Sequence, residues 1–430
     1  MTRRKAILQG SFWAVAQTVL RVSIGLVSVP LTLGYLGAER YGLWMTALSL
    51  NAFLTFLDAG LVPTLMNRMA EAHAHGDREA FRKLASAGIA VGAALFGLGA
   101  VLAGVALLLP WRALLHIHDP LAVREAPALV AVLVLSYSAG AALAGVEGIL
   151  AARLQVVRPR VYGFAAALLS FGLLLAGIRL RAGLPVLALL TATTTVLYRL
   201  PLLAGLLLRE PLLLRPRWFE LKAILRALLP VGGLYVGIQV SAVVTSSLPN
   251  LLLAREVSLA GVASFSVAMR VVGIPLSVVS AMVPVVWPAF TLAWARGERS
   301  WLRRRLWLVT QATVLLLGLF TVAIAFAGPP LIQWWTHGKA QASPPLLIAL
   351  GAWMVLQALV HWLSTFLHSI TDFRFEIFCF AGAALLTLGL ALPLTHARGP
   401  VGLAVAMALA LLLGSVAPMA LRVRRKLSVS

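Results

Sequence analysis

The side chains able to do chemistry inside the apolar stretches of this chain are few. Arg21, Asp58, Glu147, Arg199 and Arg270 all fall within such stretches. An ionisable group there is costly and faces protein or water rather than hydrocarbon. Asp58, in Leu57-Asp58-Ala59-Gly60-Leu61, reads either as a proton or cation carrier or as a helix-break cap beside Gly60 and Pro63. Glu147 reads as an ion-coupling carboxylate or as a salt bridge to Arg153. A guanidinium matches the geometry of phosphate, so Arg21 and Arg270 are candidate binders of an anionic substrate. For Arg21 the competing reading is an ion pair with Asp58 or Glu147. Arg199, at the end of its stretch, reads as a cation snorkelling to the interface.

A second tier is polar but weaker. His361 and His368 are seven residues apart, on one helical face, and imidazole titrates near neutrality. A proton relay and ordinary helix–helix hydrogen bonding both fit them. Ser246 and Asn250 sit in a Thr/Ser/Pro/Asn patch that either offers hydroxyls to sugars or satisfies a proline kink. Gln17, Asn51 and Gln239 are further candidates for a polar cavity, with packing as the alternative. The sequence has no Walker loop, zinc-ligand spacing or Ser-His-Asp context, so no catalytic residue, metal or cofactor is expected.

The elements that must position these groups follow from composition. Of 430 residues, 61% are hydrophobic and 12% charged, against about 25% charged in soluble domains. A membrane crossing needs roughly 20 apolar residues. Twelve stretches qualify: 10–36, 42–67, 84–110, 126–151, 161–179, 183–207, 225–253, 259–291, 306–327, 344–369, 375–395 and 400–421. They are continuous rather than alternating, which excludes an outer-membrane barrel. The expected fold is therefore all-α, with about twelve transmembrane helices. The single cysteine, Cys379, permits no intrachain disulfide.

The 36 basic residues against 14 acidic ones give a net charge of +22. With both termini in the cytoplasm, 25 of the 36 fall on the cytoplasmic side, eight on the other, and three (Arg21, Arg199, Arg270) within spans. That asymmetry is the positive-inside pattern. The charge therefore reads as topology and gives no nucleic-acid footprint. The N-terminus reads as an uncleaved first span, since no small-residue cleavage site follows a short apolar core.

The segment Ala74-His75-Gly76-Asp77-Arg78 recurs as Ala295-Arg296-Gly297-Glu298-Arg299, an offset of 221 residues. Both copies lead into a basic amphipathic stretch. The expected organisation is two six-helix lobes, 1–207 and 223–430, joined by a cytoplasmic linker at 208–222 and related by a pseudo-two-fold along the membrane normal. Parallel repeats of this kind are a transporter architecture, with the polar groups expected to line a central cavity.

Several motifs carry a resemblance: Leu33-Gly34-Tyr35-Leu36-Gly37, Tyr41-Gly42-Leu43-Trp44, the Asp58 segment, Asn67-Arg68 and the 74–78 loop. Val262-Ala263-Ser264-Phe265, Ala268-Met269-Arg270 and Trp287-Pro288-Ala289-Phe290 agree in the second half. The chain resembles Wzx-type polysaccharide flippases of the multidrug/oligosaccharidyl-lipid/polysaccharide exporter superfamily. The resemblance implies a substrate, an undecaprenyl-diphosphate-linked glycan moved across the bacterial inner membrane by alternating access for O-antigen, capsule or exopolysaccharide synthesis. It also implies H+ or Na+ coupling, polysaccharide polymerase machinery as a partner, and a cationic cavity for which Arg21 and Arg270 are the matching residues. A departure is the shortage of carboxylates, with Asp58 and Glu147 the main ones. The competing functions are a multidrug cation antiporter of the same superfamily and, from another class, a membrane polysaccharide polymerase or ligase. The first needs acidic cavity residues and the second a loop-borne catalytic site; the sequence offers little of either.

Overall fold

The computed structural model describes residues 3–54, 61–153, 155, 157–209, 239–245 and 247–428. Asp58, Ser246, residues 210–222 of the expected linker and the start of the seventh stretch lie outside the described residues. Among the described residues the regular elements are all helical. The long ones are α1 (Arg3–Phe53), α2 (Leu61–Ala74), α3 (Arg78–Leu108), α5 (Pro120–Ala152) and α6 (Val157–Arg179). A short α4 (Trp111–Leu115) precedes α5, and α7 (Leu184–Leu197) and α8 (Leu200–Arg209) follow α6. The second half holds α9 (Leu248–Glu256), α10 (Leu259–Ala295), α11 (Arg299–Trp335), α12 (Pro344–Ser369) and α13 (Phe373–Leu411). A π turn at Leu412–Val416 then leads to α14 (Ala417–Ser428).

Helix starts follow their capping residues. Asp77 accepts from Ala80 N at 2.9 Å, Asp119 from Leu121 N at 2.9 Å with Pro120 beside it, and Ser258 from Gly261 N at 3.0 Å. Each satisfies a donor that the first turn leaves without an intrahelical partner. At the start of α3, the Lys83 ammonium lies 2.9 Å from Glu79 and holds that carboxyl below its ordinary range.

Nine helical segments among the described residues are long and apolar enough to cross a membrane. Two of the long ones contain a break that divides them. Ala16–Phe53 has 38 residues and Arg374–Ser428 has 55, about 57 and 82 Å at 1.5 Å per residue, against a hydrocarbon core of about 30 Å. Each is interrupted. Gly37 (φ 78, ψ 170) breaks α1, and Arg398 with Gly399 (φ 56, ψ −137) breaks α13. The breaks fall between the expected spans 10–36 and 42–67 and between 375–395 and 400–421. At each break the chain turns through one or two residues rather than a loop.

Two compact units result. The first comprises the described residues of Met1–Ser28 and Leu50–Val236, the second those of Val29–Ser49 and Gly237–Ser430. Residues 29–49, placed with the first lobe by the sequence reading, thus pack in the second unit. In the first unit, Leu65, Met69, Phe81, Ile149 and Leu202 form a buried cluster joining α2, α3, α5 and α8. The helices α3 and α5 approach closely at Gly92, where an added Cβ would sit 2.4 Å from the carbonyl oxygen of Ala142. Small residues at such seams let membrane helices pack backbone to backbone. Gly92→Val is therefore expected to destabilise the unit by about 1–3 kcal/mol, the usual cost of overpacking. Thermal unfolding in detergent reads this as a lower melting temperature. An unchanged melting temperature would contradict the close approach.

The duplication is visible in local geometry. At the α2–α3 corner Gly76 takes φ +73, with Gly76 N donating to His73 O (3.2 Å) and Asp77 N to Ala72 O (3.0 Å). At the α10–α11 corner Gly297 takes φ +72, with Gly297 N donating to Trp294 O (3.0 Å) and Glu298 N to Ala293 O (2.9 Å). Every residue differs by 221. This is a left-handed glycine cap with crossed bonds onto the last turn. The same offset relates His116 (φ 46) to His337 (φ 52), and the bond Ile117 N to Arg112 O (3.2 Å) to Gly338 N to Gln333 O (2.7 Å).

Candidate functional site

In the first unit α5 and the α7–α8 junction bring together Glu147, Tyr198 and Arg199. Glu147 Oε1 accepts from the Tyr198 hydroxyl and from Arg199 Nε, each at 2.6 Å. A terminal guanidinium nitrogen of Arg199 donates to the carbonyls of Gly140 and Thr195 at 3.2 Å, and the guanidinium lies 4.9 Å from the Tyr198 ring. The side chains of Arg199 and Glu147 are 17% and 32% exposed, so the pair is shielded from water on most sides. The sequence reading matched Glu147 with Arg153 and sent Arg199 to the interface. In the structure Arg153 instead stacks on the Phe81 ring at 4.6 Å, and Arg199 turns inward to the carboxylate.

Arg21 is exposed and lies within electrostatic range of the Tyr198 hydroxyl. No ion pair joins it to any described residue, since the carboxylate of Glu147 is taken by Arg199. One turn earlier on α1, the amide of Gln17 lies over Gly163 of α6, where a Cβ would come within 2.5 Å of Gln17 Nε2. Trp13 packs edge-on against Phe164 at 5.6 Å. Asn51 is buried, and its Oδ1 has no hydrogen-bond partner among the described residues.

In the second unit Arg270 sits on α10, eleven residues after its start, with an exposed side chain. Four of the acidic residues described in this unit have ion-pair partners of their own. Glu256 meets His396 and Arg255, Glu298 meets Arg296, Glu376 meets His368 and Asp372 meets Arg422. Arg270 lies within electrostatic range of the hydroxyl of the buried Tyr41. Tyr41 is held there by the docking of residues 29–49. Gly42 abuts the backbone of Leu259, Asn250 Nδ2 donates to Ser49 Oγ at 2.8 Å, and Lys339 Nζ donates to Gly34 O. Asn250 thus ties two segments of one unit together.

The two histidines diverge. His361 Nδ1 donates to Gln357 O at 2.7 Å, which fixes a proton on that nitrogen because a carbonyl only accepts. Its Nε2 lies 3.1 Å from Ser280 Oγ, on the wall of a cavity of about 400 Å³ that Ser241, Thr245 and Trp353 also line. His368 Nε2 lies 2.6 Å from buried Glu376 and packs on Trp287. The two imidazoles therefore face different partners, Ser280 and Glu376. Gln239 is half-buried at the start of the helical residues 239–245.

The sequence reading missed Tyr41, Tyr198 and Glu376. Tyr198 is adjacent to a singled-out arginine, a usable signal. Tyr41 and Glu376 gain their meaning only from the packing of distant helices.

No family model and no curated protein matches this sequence. Solved structures do. An inward-facing multidrug resistance MATE family transporter of the MOP superfamily superposes with a TM-score of 0.74 at 18% identity, covering 96% of this chain and 99% of that one. The lipid II flippase MurJ, in an inward closed conformation, superposes with a TM-score of 0.74 at 14% identity, covering 96% and 87%. A MOP superfamily transporter from Pyrococcus furiosus, described as having a binding pocket of reverse polarity, gives 0.58 at 15%, covering 100% and 96%. At these identities the likeness establishes the fold: an all-helical, multi-pass membrane protein with the architecture of MOP superfamily transporters.

Proposed function

We propose that this protein is a flippase moving an undecaprenyl-diphosphate-linked oligosaccharide from the cytoplasmic to the periplasmic leaflet of the bacterial inner membrane, with both termini cytoplasmic. One observation carries the reading. The pairing of Glu147 with Arg199 leaves Arg21 and Arg270, one in each unit, as exposed intramembrane cations without a carboxylate partner among the described residues. A guanidinium in a span is stable only against water, polar protein or an anion. A diphosphate is such an anion, and a guanidinium supplies bidentate donors for it. The lipid tail stays in hydrocarbon, while the head group, which cannot cross unaided because desolvating its charge is prohibitive, exchanges water for arginine.

The same arrangement disfavours export of organic cations, the reading that likeness to MATE transporters also supports. A cation needs an available carboxylate or aromatic face, and Glu147 is already neutralised by Arg199. Equilibrium binding separates the two. Fluorescent undecaprenyl diphosphate is expected to bind the purified full chain at least tenfold more tightly than undecaprenol, with affinity falling as salt rises. Equal affinity for the two lipids would remove the diphosphate from the account.

Glu147 is the proposed coupling group. A proton on its carboxylate would remove the negative charge opposite Arg199 and leave that cation uncompensated, a local change able to bias the unit between two arrangements if they differ in proton affinity.

A further inference from the structure

We infer that the second unit binds an anionic phospholipid in a groove at its basic end, independently of the transported substrate. The groove encloses about 690 Å³ between the first turns of α11, the later half of α12 and α14. Its walls are apolar, with Leu363, Val423 and Leu427 buried at its base and Trp307 63% exposed along its side. Arg303 and Arg424 stand at its rim, both exposed.

The charges around the groove are unevenly matched. Arg422 is held by Asp372 at 2.9 Å and stacks on Phe375, and Arg299 donates to the carbonyl of Lys426 at 3.0 Å. These contacts fix α14 against its neighbours and engage the Asp372 carboxylate. Glu298, at the foot of α11, faces Arg296. Arg303 and Arg424 are left without an ion pair among the described residues, one on each side of an apolar trough. A phosphodiester accepts hydrogen bonds from guanidiniums lining one groove, and an acyl chain covers the leucine and valine wall. The exposed indole of Trp307 suits the depth at which head group gives way to hydrocarbon. Basic pockets between transmembrane helices hold anionic head groups in this way. A soluble anion would use the arginines but leave the apolar wall bare, and a zwitterionic phospholipid would offer the same phosphate but bring its own cation beside the two arginines. The groove shares no residue with the Glu147–Arg199 or Arg270–Tyr41 sets.

The test is native mass spectrometry of the full chain, titrated with phosphatidylglycerol or phosphatidylcholine of identical acyl chains. Phosphatidylglycerol is expected to bind at least tenfold more tightly. R303A/R424A is expected to remove that preference to within about twofold, while R303K/R424K keeps most of it and reports that the fold survives. R304A/R425A, which removes the same charge from exposed positions outside the groove, is expected to keep the preference. Equal binding of the two lipids, or equal loss in R304A/R425A, would overturn the proposal. So would displacement of phosphatidylglycerol by undecaprenyl phosphate in the wild type but not in R303A/R424A, which would make the groove a seat for the transported lipid.

Discussion

Arg270→Ala is expected to reduce surface polysaccharide to background in cells that depend on this protein, while the protein remains in the membrane at its normal level. A hydrogen bond to a charged partner contributes about 1.5–3 kcal/mol, roughly a ten- to hundredfold change in affinity, and water does little to replace it in a span. Arg270→Lys keeps the charge but loses the planar two-pronged donor, so an intermediate level is expected. Arg21→Ala should behave like Arg270→Ala, because it is the other intramembrane cation that no described carboxylate neutralises. Polysaccharide at wild-type levels in both alanine variants would sink the cationic-site account, whatever their stability.

Glu147 carries the second large expectation. Glu147→Gln retains an acceptor for the Tyr198 hydroxyl but removes the charge opposite Arg199. Breaking one side of a fully buried ion pair costs about 3–5 kcal/mol. This pair is partly exposed, so a loss nearer 1–2 kcal/mol is expected after discounting for solvent screening, read as a lower melting temperature. The double variant Glu147→Gln/Arg199→Leu is expected to recover part of that loss, because it removes both the charge and its stranded partner. Transport by Glu147→Gln should no longer respond to an imposed proton gradient. A double variant less stable than the sum of the singles, together with an unchanged gradient response, would show that Glu147 is neither paired nor coupled as described.

The helical content, the number of crossings and the duplicated corner at 74–78 and 295–299 were legible because they are local. Apolar run length sets a span, and a glycine with a following acid marks a helix end. The second duplicated corner, His116 and His337, escaped notice because only one side chain is shared there while the backbone conformation is the same. The partner of Glu147 could not be read from the chain. Arg153 is six residues away in sequence, but Arg199 is brought to it by the lateral packing of α5 against α7 and α8, which no periodicity encodes. The docking of residues 29–49 in the second unit was hidden for the same reason. Gly42 looks like one more glycine until Leu259 lies against it, and Asn250 reads as a cavity residue until Ser49 is seen to accept its proton. His361 and His368 share a helical face in sequence, yet Ser280 and Glu376 arrive from different neighbours and send them to different tasks.

The central claim is that the intramembrane arginines carry an anionic lipid-linked head group. The most direct measurement reconstitutes the full chain in vesicles and follows two cargoes side by side: a labelled undecaprenyl-diphosphate oligosaccharide, read by its accessibility in the outer leaflet, and tetraphenylphosphonium, read by its accumulation. The account predicts that the lipid-linked glycan changes leaflet in wild-type vesicles, that this movement is lost in Arg270→Ala, and that tetraphenylphosphonium is ignored. Accumulation of tetraphenylphosphonium with no movement of the glycan would contradict it and identify a cation exporter.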